Sequence, residues 1–363
     1  MVSAVRKLGL IVLVCGGLLV VKMGMDFSTA MDDTQQHRFS VRGGTKSDPH
    51  IHIPTGDKTF SDQETKTPYD PNDITVVTFY VSIGSFQKGY GNLVYTPDRY
   101  KEWMRTYGWL TNKVVAYFAD DETLQYFKKL RSGLPAHRTV VKKLDMSMLE
   151  AYKNYDKVKQ IFAKPNYPKH PPNTVNVDYS ILMNAKYDVL QMAIDGGHVS
   201  TDFMAWLDIG TFRNLVQPEL APKDGRFSLE VPSDMDRNKI AFTEVGSRND
   251  MINFTAWEYI QSNHVWVSGS MMVGAVEKIR KFIPSYKKTV DVLLGEGMAS
   301  TDQQVIGAMY SPKYLGDQEV DIQPYRCRDG DYGLYSSDIA YFCLGYVCKA
   351  AAESRRNETR IKT

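Results

Sequence analysis

The 363-residue sequence has few of the residues that build compact metal sites, and it carries almost no excess charge. Its four cysteines include no Cys-x-x-Cys pair, and its seven histidines are scattered apart from His50-Ile-His52, so we do not expect a structural zinc site. The formal net charge is only +2, with no long basic run and no signature of the common nucleic-acid modules. A nucleic-acid partner is therefore not expected. Internal repeats and low-complexity blocks are also lacking.

The composition favours one substantial globular unit. Hydrophobic side chains make up 43% of the residues and charged ones 24%, which is enough apolar surface to bury a large core.

The amino terminus has the pattern of a targeting segment. Arg6 and Lys7 precede an uncharged stretch from Leu8 to Val21, which Lys22 interrupts. Its length fits the apolar region of a cleaved signal peptide. We favour a signal anchor over residues 8–25, because Lys22 can extend its ammonium to the membrane surface and so lengthen the usable span. The positive-inside rule then keeps residues 1–7 cytosolic and makes the protein a single-pass type II protein of the Golgi or endoplasmic reticulum membrane.

Two further features agree with a lumenal location. Asn253-Phe-Thr and Asn357-Glu-Thr are glycosylation sequons. Cys15 lies in the membrane segment, whereas Cys327, Cys343 and Cys348 are close together near the carboxyl end. We expect one disulfide among these three cysteines, with one thiol left over, and the spacing does not select the pair.

The remaining chain divides into a stem, a folded domain and a tail. Residues 26–71 are polar and lack apolar periodicity, which predicts a flexible stem. From Ile74 the sequence alternates apolar, β-branched runs with helical patterns, including a helix from about Asp178 to Ile194. This alternation predicts an α/β fold with a mostly parallel sheet flanked by helices, over residues 72–345. Residues 346–363 are predicted to form a polar tail.

One acid follows a buried strand in "FMAWLDIGTFRN". Asp208 stands where the strand ends, and ligands of parallel α/β sheets bind beyond the carboxyl ends of the strands. Two roles fit it: a ligand-binding carboxylate, or an acceptor for backbone N–H groups in the turn that Gly210 and Thr211 form.

The helix before this strand carries a lysine on its apolar side. With 100° per residue, Lys186 lies opposite the polar stripe of Asn184, Asp188 and Gln191. A buried ammonium without a partner costs several kcal/mol, so Lys186 needs an anion. Either a structural carboxylate, Asp208 or Asp302, or the phosphates of a ligand would supply it.

A third candidate lies in "STDQQV". Ser300 and Gln303 have the spacing of a capping box, which puts Asp302 in the first turn of a helix. The helix dipole by itself favours a carboxylate there. Alternatively, Asp302 presents its carboxylate to a substrate hydroxyl as a general base.

Taken in order, several stretches resemble the HtrL/YibB-like family, whose members are proposed to be glycosyltransferases. They are "VVTFYVSIG", "NKVVAYFAD", "VDYSILMNAKYDVLQMAI", "FMAWLDIGTFRN", "WVSGSMMVG" and "STDQQV", and they span about residues 74–316. That family resembles the nucleotide-sugar transferases with a GT-A-like fold.

The resemblance implies roles for particular residues. Thr78, Phe79, Ser82 and Asp120 would lie near the nucleotide, and Lys186 would face the diphosphate. Asp302 and Gln303 would resemble the Asp-Gln pair beside the transferred sugar or its acceptor.

Asp208 would hold a divalent cation, Mn²⁺ or Mg²⁺, as the second acid of an Asp-x-Asp element. Trp206 stands where the first acid would be, so metal dependence is left open. The implied substrates are a nucleotide-sugar donor and a glycan acceptor. The alternative is a non-catalytic lumenal protein that binds sugars or acts as a scaffold; a metal-dependent phosphohydrolase is a third, less favoured class.

Overall fold

A computed structural model describes residues 70–311 and 318–362 of the chain. The expected anchor and almost all of the expected stem lie outside these residues. Among the residues described, no helix combines the length and the apolar character that a membrane span requires. From Pro71 onward, the described residues form a single compact unit.

The centre of this unit is a seven-stranded sheet in the order β5-β4-β1-β6-β8-β7-β9. The strands of the described chain are β1 Ile74–Tyr80, β2 Phe86–Gln87, β3 Val94–Tyr95, β4 Val114–Phe118, β5 Thr139–Lys143, β6 Phe203–Leu207, β7 Ile240–Glu244, β8 Val267–Ala275 and β9 Ile322–Tyr325. Strands β5, β4, β1 and β6 are parallel, whereas β8 is antiparallel to both β6 and β7. The predicted mostly parallel sheet is therefore confirmed. Strands β2 and β3 form a separate hairpin.

Helices cover both faces of the sheet. In the described residues they are α1 Pro97–Trp109, α2 Asp121–Leu130, α3 Tyr155–Phe162, α4 Val177–Asp195, α5 Arg248–Met251, α6 Ala256–Gln261, α7 Val276–Gly295, α8 Asp302–Met309 and α9 Ser336–Lys362. The observed α4 confirms the helix predicted from about Asp178 to Ile194.

Alternating strand residues divide the core into two clusters, because successive side chains of a strand point to opposite faces. Phe79 and Trp206 pack on the face covered by α4, α7 and α8. Tyr80 and Leu207 pack on the face covered by α1, α2 and α9. Neighbouring residues of one strand thus have different surroundings.

A buried arginine joins several segments on the α1 side. The guanidinium of Arg131 donates to the carbonyls of Tyr107 and Leu110 at the end of α1, at 2.7 and 2.9 Å. It also donates to the carbonyls of Asn112 and Arg138, at 2.9 and 3.0 Å. Carbonyls from the end of α1 and from the segments leading into β4 and β5 thus share one cation.

The carboxyl end does not form a separate polar tail. Helix α9 runs from Ser336 to Lys362, so the boundary expected at residue 346 falls inside it. Tyr346, Cys348 and Ala352 are buried in the core. A disulfide links Cys327 to Cys343 of α9, and Cys348 is the free thiol among the cysteines that the structure describes.

Candidate active site

Asp208 follows β6 at the end of the sheet where the parallel strands terminate. Its carboxylate Oδ1 accepts from the indole Nε1 of Trp206 at 2.7 Å and lies 3.3 Å from Lys186 Nζ. In the turn it is the main-chain carbonyl of Asp208, not its carboxylate, that accepts from Thr211 N, at 3.1 Å. The structure therefore contradicts the alternative in which the carboxylate accepts the N–H groups of this turn.

Lys186 reaches Asp208 from helix α4. Its ammonium also lies 3.0 Å from Asp302 Oδ2 and donates to the carbonyl of Gly269 at 2.8 Å. The structural carboxylates that the sequence offered as partners, Asp208 and Asp302, are both in contact with it. An ammonium has three N–H donors, and here three protein acceptors surround it. Contact with a phosphate would require one of these bonds to break.

The three charged groups differ in their access to solvent. Asp208 retains 32% of its side-chain exposure, whereas Lys186 and Asp302 each retain only 3%. The buried pair therefore lies behind Asp208. Gly269 makes this arrangement possible, since a Cβ at that position would be 2.2 Å from Asp302 Oδ2 and 2.9 Å from Lys186 Nζ.

The surroundings shift the pKa of Asp208 and the pKa of Lys186. Burial raises the pKa of Asp208, and the neighbouring Asp302 adds to this, although Lys186 and the Trp206 indole oppose it. Burial alone would lower the pKa of Lys186, but the two carboxylates outweigh it and the pKa is raised. The ammonium therefore stays protonated at neutral pH, with two carboxyl groups in contact with it.

Asp208 lines a cleft with predominantly aromatic walls. The main rings are Phe86, Tyr95, Tyr100, Trp103, Tyr179 and Trp206. Tyr100 and Trp103 from α1 meet edge to face at 5.1 Å between ring centroids, and Phe86 of the hairpin lies 5.2 Å from Tyr179 of α4. Such walls suit a flat or apolar ligand surface, such as a nucleobase or one face of a sugar.

Two cations also line this cleft, Lys88 and Arg213. Arg213 is held in place by an ion pair with Asp338 and donates to the hydroxyl of Tyr95 at 3.2 Å. Lys88 Nζ lies 5.0 Å from the centroid of the Tyr95 ring. Burial raises the pKa of Tyr95, but Lys88 and Arg213 outweigh this effect and lower it overall.

The residues expected near the nucleotide are dispersed. Phe79 lines the cleft. Thr78 is buried on the opposite face of the sheet, 3.2 Å from the Tyr107 hydroxyl. Asp120 caps helix α2, where it accepts from Thr123 N at 2.7 Å. Ser82 is exposed and is not among the residues that line the cleft.

The expected capping box at Ser300 and Gln303 is wrong. The helix begins at Asp302 after Thr301, with no side-chain cap. Gln304 is the buried glutamine: its carboxamide oxygen accepts from the Thr301 hydroxyl at 2.7 Å, and its nitrogen donates to the carbonyl of His264 at 3.2 Å. Gln303 is half-buried and lies outside the cleft lining.

The sequence did not predict most of the residues that form the cleft wall. For two of them, the spacing along a strand or helix indicated the shared face. Trp206 stands two residues before Asp208 on a strand, so both side chains point to the same face. Tyr179 stands seven residues before Lys186 on α4, which also gives a shared face. Lys88 and Arg213 come from a hairpin and a short 3₁₀ turn, for which spacing gives no signal.

In the described part of the chain, no group of three or more His, Cys, Asp or Glu side chains could by itself hold a metal ion. Asp208 could supply one carboxylate oxygen, since the contacts shown for this carboxylate all involve Oδ1. One carboxylate is enough for a hard cation only when ligand oxygens and water complete its shell, as in many Mg²⁺ sites.

Fold and site together define an α/β protein with a strand-end carboxylate in an aromatic cleft. The chain belongs to the HtrL_YibB family, whose model is described as "Bacterial protein of unknown function" and matches residues 72–314. The resemblance noted in the sequence is thereby confirmed.

Solved structures offer only a distant likeness. Mouse xyloside xylosyltransferase 1 is similar over 74% of this chain and 93% of its own, with 12% identity and a TM-score of 0.36. The WbbM bifunctional glycosyltransferase is similar over 78% of this chain and 46% of its own, with 8% identity and a TM-score of 0.33. These TM-scores are too low for either likeness to indicate a function. No curated protein matches the chain.

Proposed function

We propose that the protein is a glycosyltransferase with a GT-A-like fold, which moves a sugar from a nucleoside-diphosphate donor to the hydroxyl of a glycan or glycoconjugate. The observation that carries this proposal is Asp208, a partly exposed carboxylate at a strand end, fixed by Trp206 and Lys186 in an aromatic cleft. The rings suit a nucleobase and a sugar face, and the carboxylate suits a cation that accompanies a diphosphate.

The chemistry explains why charge at this place matters. As the bond between the sugar and the diphosphate breaks, negative charge develops on the leaving phosphate. The acceptor oxygen meanwhile bonds to the sugar and passes its proton to the leaving diphosphate or to water. Charges that are fixed in advance stabilise such a transition state, because they need no reorganisation during the reaction. Asp208 would hold Mn²⁺ or Mg²⁺, which would neutralise charge on the diphosphate.

The general-base role expected for Asp302 stays a prediction, and the geometry does not favour it. A carboxylate that is 3% exposed and bonded to Lys186 does not reach a hydroxyl in the cleft without rearrangement. In this proposal Asp302 instead fixes Lys186, which in turn fixes Asp208. Gln303 keeps no assigned role.

We further propose a lumenal location, with the expected anchor in a Golgi or endoplasmic reticulum membrane. The disulfide between Cys327 and Cys343 supports an oxidising compartment, where such bonds persist. Asn253 of the first sequon is exposed in a turn ahead of α6, accessible to glycosylation.

The decisive test is incubation of the full-length protein with a panel of nucleotide sugars, with and without Mn²⁺, followed by detection of free nucleoside diphosphate. Release that is lost in Asp208→Asn supports a transferase, because this substitution keeps the shape and removes the charge. Lys129→Ala, an exposed position on α2, serves as control.

One observation favours the alternative of a sugar-binding protein without activity: Trp206 occupies the place of a first acid and bonds to the second. Sugar binding with no release of nucleotide from any donor would support this alternative against the transferase. Release of inorganic phosphate without sugar transfer would instead indicate a phosphohydrolase.

A further inference from the structure

The cleft has a cationic side, formed by Lys88, Tyr95 and Arg213. Lys88 and Tyr95 belong to the β2–β3 hairpin region, and Arg213 begins the 3₁₀ turn that follows β6. All three residues line the same cleft as Asp208. Both cations approach Tyr95, one over its ring and one at its hydroxyl.

Arg213 is rigidly held, which suits a binding group. Its ion pair with Asp338 is completed by Asn214 Nδ2, which donates to the other carboxylate oxygen at 2.8 Å. The guanidinium carbon lies 4.7 Å from the centroid of the Phe342 ring and 5.7 Å from that of Trp103. Little conformational freedom is left for it to lose on binding.

Lys88 and Tyr95 each have a hydrogen-bond donor that a ligand could use. Among the residues that the structure describes, Lys88 shows no carboxylate partner for its ammonium. The Tyr95 hydroxyl accepts from Arg213, and no acceptor for its own proton is seen in that part of the chain. An ammonium and an O–H group are therefore available to an anion.

Lys186 contrasts with Lys88, because its donors are already used within the protein. Its ammonium is 3% exposed and is already surrounded by three protein acceptors. Two carboxyl groups, those of Asp208 and Asp302, stand between this ammonium and any other anion.

We propose that Lys88, Tyr95 and Arg213 form the subsite that binds the diphosphate of a nucleoside diphosphate, with Asp208 reaching the same phosphates through a divalent cation. Lys186 then acts only as a positioning residue for Asp208. This inference rests on the proposed function, because it assigns the part of the cleft that holds the donor's phosphates.

Calorimetry on the full-length protein tests it, with UDP, GDP and uridine as probes in the presence of Mn²⁺. Lys88→Ala removes one charge, and Tyr95→Phe removes only the hydroxyl. We expect the Kd of the better-bound diphosphate to rise by about tenfold or more in Lys88→Ala, the range of a lost hydrogen bond to a charged group. Tyr95→Phe should weaken diphosphate binding less, and neither variant should change the Kd of uridine.

Lys129→Ala is the matched control, since it removes the same charge from an exposed position on α2. The subsite is wrong if Lys88→Ala and Tyr95→Phe bind the diphosphate as well as the unsubstituted protein while Asp208→Asn does not; the proposed function then survives. It is also wrong if Lys129→Ala weakens binding as much as Lys88→Ala. Failure of the unsubstituted protein to bind any nucleoside diphosphate, with ADP, CDP and TDP added to UDP and GDP, overturns the proposed function itself.

Discussion

At the scale of single residues, the missing side chain of Gly269 leaves room for the buried ion pair. In Gly269→Ala the new Cβ would meet Asp302 Oδ2 at 2.2 Å and Lys186 Nζ at 2.9 Å, so the pair must shift. We expect a loss of about 1–3 kcal/mol in the free energy of unfolding, the usual cost of overpacking a core. Chemical denaturation followed by circular dichroism measures it.

Gly133→Ala is the matched control, because no atom lies within 4 Å of a Cβ at that position. If both variants lose the same stability, crowding of the ion pair is not the cause.

Lys186 gives a second residue-scale prediction. Lys186→Met leaves the buried carboxylate of Asp302 without its ammonium partner. Removal of one member of a buried ion pair costs about 3–5 kcal/mol in stability. Adding Asp302→Asn removes the stranded charge, so the double variant should regain part of this loss in denaturant titrations. A double variant less stable than Lys186→Met would contradict the assigned pairing.

Single residues also show how far the sequence could predict the site. Helical periodicity located Lys186 on the buried side, and burial of a charge demanded an anion. Periodicity could not show that Asp208 and Asp302 would share the lysine, because their contact depends on how α8 packs beside β8. Nor could it separate Gln303 from Gln304, since a shift of one residue in the start of the helix exchanges their environments.

At the scale of elements, helix α9 is the part of the fold that the composition did not predict. Its polar residues dominate the end of the sequence, yet Tyr346, Cys348 and Ala352 point into the core. The strands were easier to predict, because buried parallel strands are continuous apolar runs. The antiparallel position of β8 was not predictable, since strand order depends on tertiary packing.

Truncation tests the role of α9. A chain that ends after residue 345 loses the buried Tyr346 and Cys348, and deletion of one large buried side chain alone costs about 3–5 kcal/mol. We expect this chain to be recovered mainly as aggregate. A chain that ends after residue 358 keeps Tyr346, Cys348 and Ala352. Its free energy of unfolding should lie within about 0.5 kcal/mol of that of the full protein. Equal yields of folded protein from both truncations would show that the helix is dispensable.

At the scale of the whole molecule, the proposed lumenal location predicts a modification pattern. Asn253 is exposed, so expression in a secretory host should attach a glycan there. Treatment with a glycosidase that removes N-linked glycans should then increase gel mobility, and Asn253→Gln should remove one step of that shift. Asn238→Gln, an exposed asparagine outside any sequon, is the control. A protein that carries no glycan at either sequon would argue against lumenal exposure.

Arg131 binds the end of helix α1, and the same helix carries cleft residues. The guanidinium fixes the carboxyl end of this helix, and Tyr100 lies seven residues before Tyr107, a distance of about 10 Å along the axis. A lysine has three N–H donors, whereas the planar guanidinium has five, so a lysine would hold the end of α1 less firmly. A buried residue outside the cleft thereby holds the helix that carries part of the aromatic wall.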